Sequence, residues 1–238
     1  LTNYVEEHGC DIGIATDGDA DRLGVIDDKA EFLHPNKILV LLYYYLMRYR
    51  GWRGAAVRNL ATTHLLDRIA EDFGETCYEV PVGFKYVSAK MVETGAIIGG
   101  ESSGGLTVRG HIQGKDGIYA AALLVEAIAK TGRRLSALWD EITQKYGAAE
   151  MAEHDFHFSS AERTRIFKLL MEDKQLPEFP CEIAKVSYMD GCKVYFKNGG
   201  WVIARFSGTE PLLRVFCEMD TMENAEKFAK ILTEFLSL

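Results

Sequence analysis

Nothing in these 238 residues supplies a disulfide framework or a zinc site: the five cysteines, Cys10, Cys77, Cys181, Cys192 and Cys217, are widely spaced and form no CxxC pair. A reducing cytoplasm is the expected setting. Basic excess is also missing, and a net charge of -8 argues against a general nucleic-acid binder, which needs a basic face to neutralise phosphates. The longest apolar run, ILVLLYYYLM from Ile38 to Met47, is too short to cross a bilayer and reads as a buried core helix, so no membrane contact is expected. No G-x-x-x-x-G-K-[ST] segment occurs, which excludes a nucleoside-triphosphate P-loop. There is no internal repeat and no low-complexity tract, and the first ten residues, LTNYVEEHGC, are mixed and acidic and do not resemble a signal peptide. They also lack a starting Met and run quickly into a strand, so the chain is expected to begin inside a domain.

What is present is ample apolar material, 47% of residues, enough for a substantial core. Asp11 to Asp28 reads as strand, turn, strand, and Pro35 to Arg50 as a helix with Pro near its start. Apolar runs then alternate with amphipathic segments: GAAVRNL, a helix through HLLDRIAEDFG, TCYEVPV, a helix around KYVSAKMVE, and AIIG. That alternation marks βαβ units and a parallel sheet. Helices from Asp116 to Lys130 and from Leu135 to Tyr146 come next. After Gly147 the pattern changes to HDFHF, a helix AERTRIFKLLMED, and the strands CEIAKVSYM, CKVYFK, WVIARF and LLRVFCEM, with Asp190-Gly191 and Asn198-Gly199 as hairpin signals. A last amphipathic helix, NAEKFAKILTEFL, would cover one face of this antiparallel sheet. The expected fold is α/β: the end of one α/β domain (1–34), a parallel-sheet α/β domain (35–147), and a smaller α+β domain with an antiparallel sheet (148–238).

Four segments carry chemistry. In DIGIATDGDADRLGVIDD, Asp17, Asp19 and Asp21 alternate on a turn between two strands, and their mutual repulsion calls for a small hard divalent cation with oxygen ligands. The calcium-loop pattern fails, because its sixth position holds Arg22 where Gly is needed and its twelfth holds Asp28. A Mg²⁺ site completed by a phosphate is favoured over that loop and over a solvated acidic turn. RFSGTEPLLR, from Arg205 to Arg214, offers a guanidinium fork, the hydroxyls of Ser207 and Thr209, and a Gly208 turn that would aim successive N–H groups at a phosphate. GGESSGG, from Gly99 to Gly105, places Glu101 and Ser103 to bond sugar hydroxyls, with glycines permitting close approach. It also satisfies the hydrolase elbow G-x-S-x-G at Ser102, but the residues after it read as extended chain and loop, whereas the elbow must enter a helix. A basic group, Lys85, Arg109, His111 and Lys115, suits the phosphate of a phosphorylated hexose; His111 reads equally as a proton shuttle or as a structural histidine.

In this order, DGDADR, GFKY, GESSGG and RFSGTEPLLR resemble the phosphohexomutase family of phosphoglucomutases and phosphomannomutases across essentially the whole chain. The resemblance implies an isomerase that interconverts hexose 1-phosphate and hexose 6-phosphate through a phosphoserine and a bisphosphorylated intermediate. It implies Mg²⁺ on Asp17, Asp19 and Asp21, sugar hydroxyls on Glu101 and Ser103, and substrate phosphate on Arg205, Ser207, Gly208 and Thr209, with Lys115 and Arg214 also toward substrate. Lys85, at the GFK position, and Arg22, beside the metal loop, become the candidate catalytic residues. The family's T-A-S-H-N-P-like phosphoserine segment does not occur here; the nearest string, ATTHLL from Ala61 to Leu66, is expected to open a helix. The chain is therefore expected to need the family's amino-terminal domains as its partner and to be inactive alone. GFKY inclines the reading to glucose or mannose phosphate. Phosphoglucosamine mutation, a serine hydrolase using Ser102 and a noncatalytic sugar-phosphate-binding module remain the alternatives.

Overall fold

The computed structural model describes residues 1–208 and 210–238; the chain divides into two compact units, Leu1–Gly147 and Ala148–Leu238. The first unit opens with a short helix α1 (Thr2–His8), then β1 (Gly13–Thr16), β2 (Leu23–Ile26) and β3 (Phe32–Leu33), joined as an antiparallel sheet in that order. The sequence pattern anticipates β1 and β2. The helix α1 and the two-residue β3 are too short to leave a periodicity.

Next comes α2 (Pro35–Arg48), whose Pro sits in the first turn and whose N-cap His34 accepts the Asn36 N–H. Every residue from Ile38 to Met47 is buried, as expected of a core helix. Its three tyrosines tolerate this because each hydroxyl reaches an acceptor: Tyr43 the Gly54 carbonyl at 3.1 Å, Tyr44 Glu141 and Tyr45 Glu126 at 2.6 Å each.

Around α2 lie β4 (Ala56–Asn59), α3 (Leu65–Asp72), β5 (Cys77–Val80), α4 (Phe84–Thr94), β6 (Ile98–Gly100), β7 (Leu106–Val108), α5 (Gly117–Thr131) and α6 (Leu135–Tyr146). The sheet runs β5-β4-β6-β7, with β4 parallel to both β5 and β6 and with β7 antiparallel to β6. It is a mixed sheet in which part of the stretch read as extended chain and loop becomes the edge strand β7. The Gly99-Gly100 pair has a packing cause: a Cβ on Gly99 would sit 2.4 Å from the sulfur of Met91 on α4, and one on Gly100 2.8 Å from Leu39 of α2. These two glycines let helices press onto the strand.

The second unit contains β8 (Glu150–His157), α7 (Ser160–Phe167) running into a π-turn (Lys168–Glu172), β9 (Ile183–Ser187), β10 (Cys192–Phe196), β11 (Trp201–Phe206), β12 (Leu212–Met219) and α8 (Met222–Phe235). Its sheet is antiparallel throughout, ordered β8-β12-β11-β10-β9, with both dipeptide-signalled hairpins in place. A capping box of Ser159 and Glu162 starts α7, and Thr221 caps α8. Ala225, Phe228, Ala229 and Leu232 of α8 join Val194, Val202, Val215 and Cys217 in one core.

Candidate functional site

In the first unit, the turn from β1 to β2 carries the three aspartates. Their nearest carboxylate oxygens lie within 4.8 Å of one another. The turn is held by the Arg22 N–H on Asp17 Oδ1 at 3.2 Å and the Ala20 N–H on the Asp17 carbonyl at 3.1 Å, with Ala20 at a φ of 58°. From below, the Gly117 N–H at the start of α5 donates to the Ala20 carbonyl at 2.9 Å. A Cβ on Gly117 would lie 2.7 Å from the Arg22 carbonyl oxygen, so only glycine lets α5 approach this closely.

Two cations sit against this cluster. Arg22 Nε lies 3.4 Å from Asp21 Oδ1, and the Lys115 ammonium pairs with Oδ2 of the same residue. The Lys115 hydrogen bond, outweighing partial burial, holds the Asp21 carboxyl below its ordinary range. Asp21 Oδ1 is itself shielded from solvent and has no hydrogen-bond partner among the described residues. An oxygen-only donor set with an unsatisfied carboxylate oxygen fits a hard divalent cation.

The GGESSGG segment spans the end of β6 and, from Glu101 to Gly105, its connection to β7. The Glu101 N–H bonds the Gly105 carbonyl and the Gly104 N–H the Glu101 carbonyl, both at 3.0 Å, closing a tight turn. Gly105 pairs with Arg22 across an isolated antiparallel bridge, which joins this turn to the aspartate turn. The Lys115 side chain lies across Gly105, where a Cβ would come within 2.2 Å of its Cδ. The strand–turn–strand context removes the hydrolase elbow at Ser102, because the serine leads into β7 and not into a helix.

Glu101 is buried and accepts from Asn59 Nδ2 and from the Gly83 N–H, both at 3.0 Å on Oε1. Ser103 is exposed at the tip. Lys85 is exposed on the first turn of α4, two residues beyond Gly83, with its ammonium 4.9 Å from the Tyr86 ring. The structure thus gathers Asp17, Asp19, Asp21, Arg22, Lys115 and the Glu101 turn. The other members of the basic group have structural work: Arg109 donates to the Gly95 carbonyl at 3.2 Å, and His111 bonds Asp116 at 2.7 Å while stacking on Tyr119. Asp116 in turn caps α5 through the Tyr119 N–H, and that bond together with His111 keeps its carboxyl below the usual range.

In the second unit, Arg205 on β11 and Arg214 on β12 face each other in register. Asp190 accepts from Arg205 Nε at 2.9 Å, and Glu210 from Arg214 Nη2 at 3.1 Å, so both guanidiniums are already oriented by carboxylates. The expected run of N–H groups aimed at one point is not what Ser207 shows. Its N–H closes the hairpin on the Leu212 carbonyl at 2.8 Å, and its hydroxyl receives the Glu210 N–H at 3.3 Å. Beyond its chain neighbours, no atom of the described residues lies within 4 Å of where a Cβ on Gly208 would be. Thr209 lies outside the described residues.

Sequence reasoning missed Asn59 and Thr62. Both are buried polar residues at and just past the carboxyl end of the parallel strand β4, the end of such strands where α/β proteins place their sites. A polar pair closing the apolar run GAAVRNLATT was the available signal.

Comparison with known proteins gives matches in both units. Residues 34–146 match the family domain described as "Phosphoglucomutase/phosphomannomutase, alpha/beta/alpha domain III", and residues 167–234 match "Phosphoglucomutase/phosphomannomutase, C-terminal domain". A Thermococcus kodakarensis phosphoglucomutase/phosphomannomutase is 34% identical over 95% of this chain and 47% of its own length. A Pyrococcus furiosus protein described as a probable phosphoglucosamine mutase is 31% identical over 97% of this chain and 49% of its own. Among solved structures, a candidate phosphomannomutase from Thermus thermophilus superposes with a TM-score of 0.73 at 32% identity, over 94% of this chain and 44% of that one. The chain spans about half the length of the curated relatives it matches.

Proposed function

Because this chain belongs to the phosphoglucomutase/phosphomannomutase family, we propose that it serves the interconversion of hexose 1-phosphate and hexose 6-phosphate, with glucose and mannose phosphates as substrates. The observation that carries the proposal is the junction, within one unit, of the Asp17–Asp19–Asp21 cluster and the Glu101 turn across the Arg22–Gly105 bridge. Glu101 and Ser103 read sugar hydroxyls. Arg205, Ser207, Gly208, Thr209 and Arg214 hold phosphate, Arg214 and Arg205 being held ready by Glu210 and Asp190. The three aspartates are the ligands proposed for Mg²⁺, which when bound supplies neutralisation of phosphoryl charge. Arg22 and Lys115 flank that charge, and exposed Lys85 is the candidate for substrate contact or proton transfer. The phosphoserine belongs, on this reading, to the part of the relatives that this chain does not span. Phosphoglucosamine is the alternative substrate, represented by the name of the Pyrococcus relative.

Calorimetric titration with glucose 1-phosphate, mannose 1-phosphate, glucosamine 1-phosphate and free glucose tests the assignment. Arg205→Ala should weaken every phosphorylated ligand by about 1.5–3 kcal/mol, the range for a hydrogen bond to a charged group. Equal loss for free glucose would remove the phosphate-reading role. Turnover of glucose 1-phosphate by the chain alone, given Mg²⁺ and a bisphosphate activator, would refute the assignment of the nucleophile to another domain.

A further inference from the structure

The orientation of the Glu101 carboxylate is set by residues outside its own turn. Asn59 Oδ1 accepts two protons, from the Ala61 N–H and from the Thr62 hydroxyl, both at 2.9 Å. That fixes which way the amide points, because an oxygen with two donors on it leaves the NH₂ end for Glu101 Oε1, 3.0 Å away. Thr62 spends its single proton on Asn59 and uses a lone pair to accept the Ser102 N–H at 3.1 Å. The chain of bonds therefore touches the Glu101 turn twice, at the carboxylate and at the following amide. A second donor, the Gly83 N–H at the start of α4, closes on the same Oε1. Asn59 is 3% exposed and Thr62 fully buried, so water cannot substitute for a lost partner. Glu101 Oε2 has no hydrogen bond among the described residues.

We infer that Asn59 and Thr62 are positioning residues that lock Glu101 with Oε1 turned to the protein, so that the carboxylate meets a sugar hydroxyl through Oε2 alone. The sugar half of this inference rests on the proposed hexose-phosphate function; the lock itself does not. The lock also ties three elements to one oxygen: the end of β4, the loop before α4, and the β6–β7 turn. A vicinal diol cannot then bridge both oxygens of Glu101: its two hydroxyls share the lone pairs of Oε2, or one turns to exposed Ser103 two residues on in the same turn.

The test uses the 238-residue chain, its Asn59→Ala and Thr62→Val variants, and two probes, glucose 1-phosphate and inorganic phosphate. Thr62→Val keeps the side-chain volume and removes only the hydroxyl. In the free chain, amide exchange at Gly83 should quicken several-fold in Asn59→Ala, and at Ser102 in both variants. Glucose 1-phosphate should bind roughly tenfold more weakly to Asn59→Ala, the effect of losing a charge-assisted hydrogen bond, with inorganic phosphate unchanged. A merely structural role would lower the melting temperature and weaken both probes together, and that result overturns the inference. Unaltered exchange at Gly83 and Ser102 overturns it as well. If the unmodified chain binds glucose 1-phosphate no better than inorganic phosphate, the hexose-phosphate reading fails, and the exchange data still decide the lock.

Discussion

Lys115 shows how one side chain can be claimed by the protein before any ligand arrives. Sequence reasoning placed it toward the sugar phosphate; the structure gives its ammonium to Asp21 and lays its stem across Gly105. Three carboxylates within five residues repel, and Lys115 with Arg22 relieves part of that repulsion without a metal. The same ammonium must then oppose a divalent ion at those oxygens. Lys115→Met, which keeps the stem and removes the charge, should lower the melting temperature in metal-free buffer and raise Mg²⁺ affinity up to roughly fivefold, the scale of a partly exposed ion pair. Calorimetric Mg²⁺ titration of both proteins measures it. Unchanged affinity would mean that Lys115 does not compete for this site.

Between elements, contact at a single glycine aligns the aspartate turn with α5. Gly117 donates to the Ala20 carbonyl, and a methyl group there would meet the Arg22 carbonyl oxygen at 2.7 Å. Backbone on both sides leaves little to yield, so Gly117→Ala should destabilise by about 1–3 kcal/mol, as overpacking does, and should weaken Mg²⁺ binding by displacing the turn. Urea unfolding with and without Mg²⁺ checks this; lost stability with intact Mg²⁺ binding would detach α5 from the site. The sequence reveals features whose cause is local. The buried α2, the β4–α3–β5–α4–β6 alternation, the Asn198-Gly199 and Asp190-Gly191 hairpins and the alternating aspartates all carry their signal within a few residues. Long-range features stay hidden: Asn59 meets Glu101 across 42 positions and Arg205 meets Asp190 across 15. Gly99 and Gly100 were legible as glycines, but their reason, two helices on opposite sides, exists only after packing. Short β3 and β7 become strands because a neighbour offers them a ladder, not because of an intrinsic pattern.

At the scale of the whole chain, charge is distributed unevenly in a way that pH should expose. In the first unit, Asp21 is held below the ordinary carboxylate range by Lys115, Asp72 by Lys145 and Tyr146, and Asp116 by the Tyr119 N–H and His111. Burial pushes Asp67 and Glu141 upward, but the paired Arg58 overcomes it for the first, and Tyr44, Tyr49 and Arg133 for the second. In the second unit, the exposed carboxyl of Glu162 in the α7 capping box is held below its ordinary range by the Ser159 hydroxyl and N–H. A carboxyl lowered in the folded state contributes stability that is present above its unfolded pKa, about 4, and lost as pH falls through the folded value. Acid should therefore unfold Leu1–Gly147 ahead of Ala148–Leu238. On the alkaline side the sign reverses, because buried acids raised in the folded state lose their contribution as pH climbs past the unfolded value. Burial raises Cys77 and Tyr43 in the first unit, and in the second raises Cys217 and pushes Cys192 up to about 11, so base should weaken both. With Trp52 and Trp139 changed to Phe, fluorescence reports on fully buried Trp201 alone, and hydrogen exchange resolved by peptide reports on the first unit. Between pH 4 and pH 2, approximate bounds set by the ordinary carboxylate pKa, exchange in 1–147 should accelerate before the Trp201 emission shifts. Simultaneous loss, or Trp201 exposure first, would place the acid-sensitive charges elsewhere than on Asp21, Asp67, Asp72, Asp116 and Glu141.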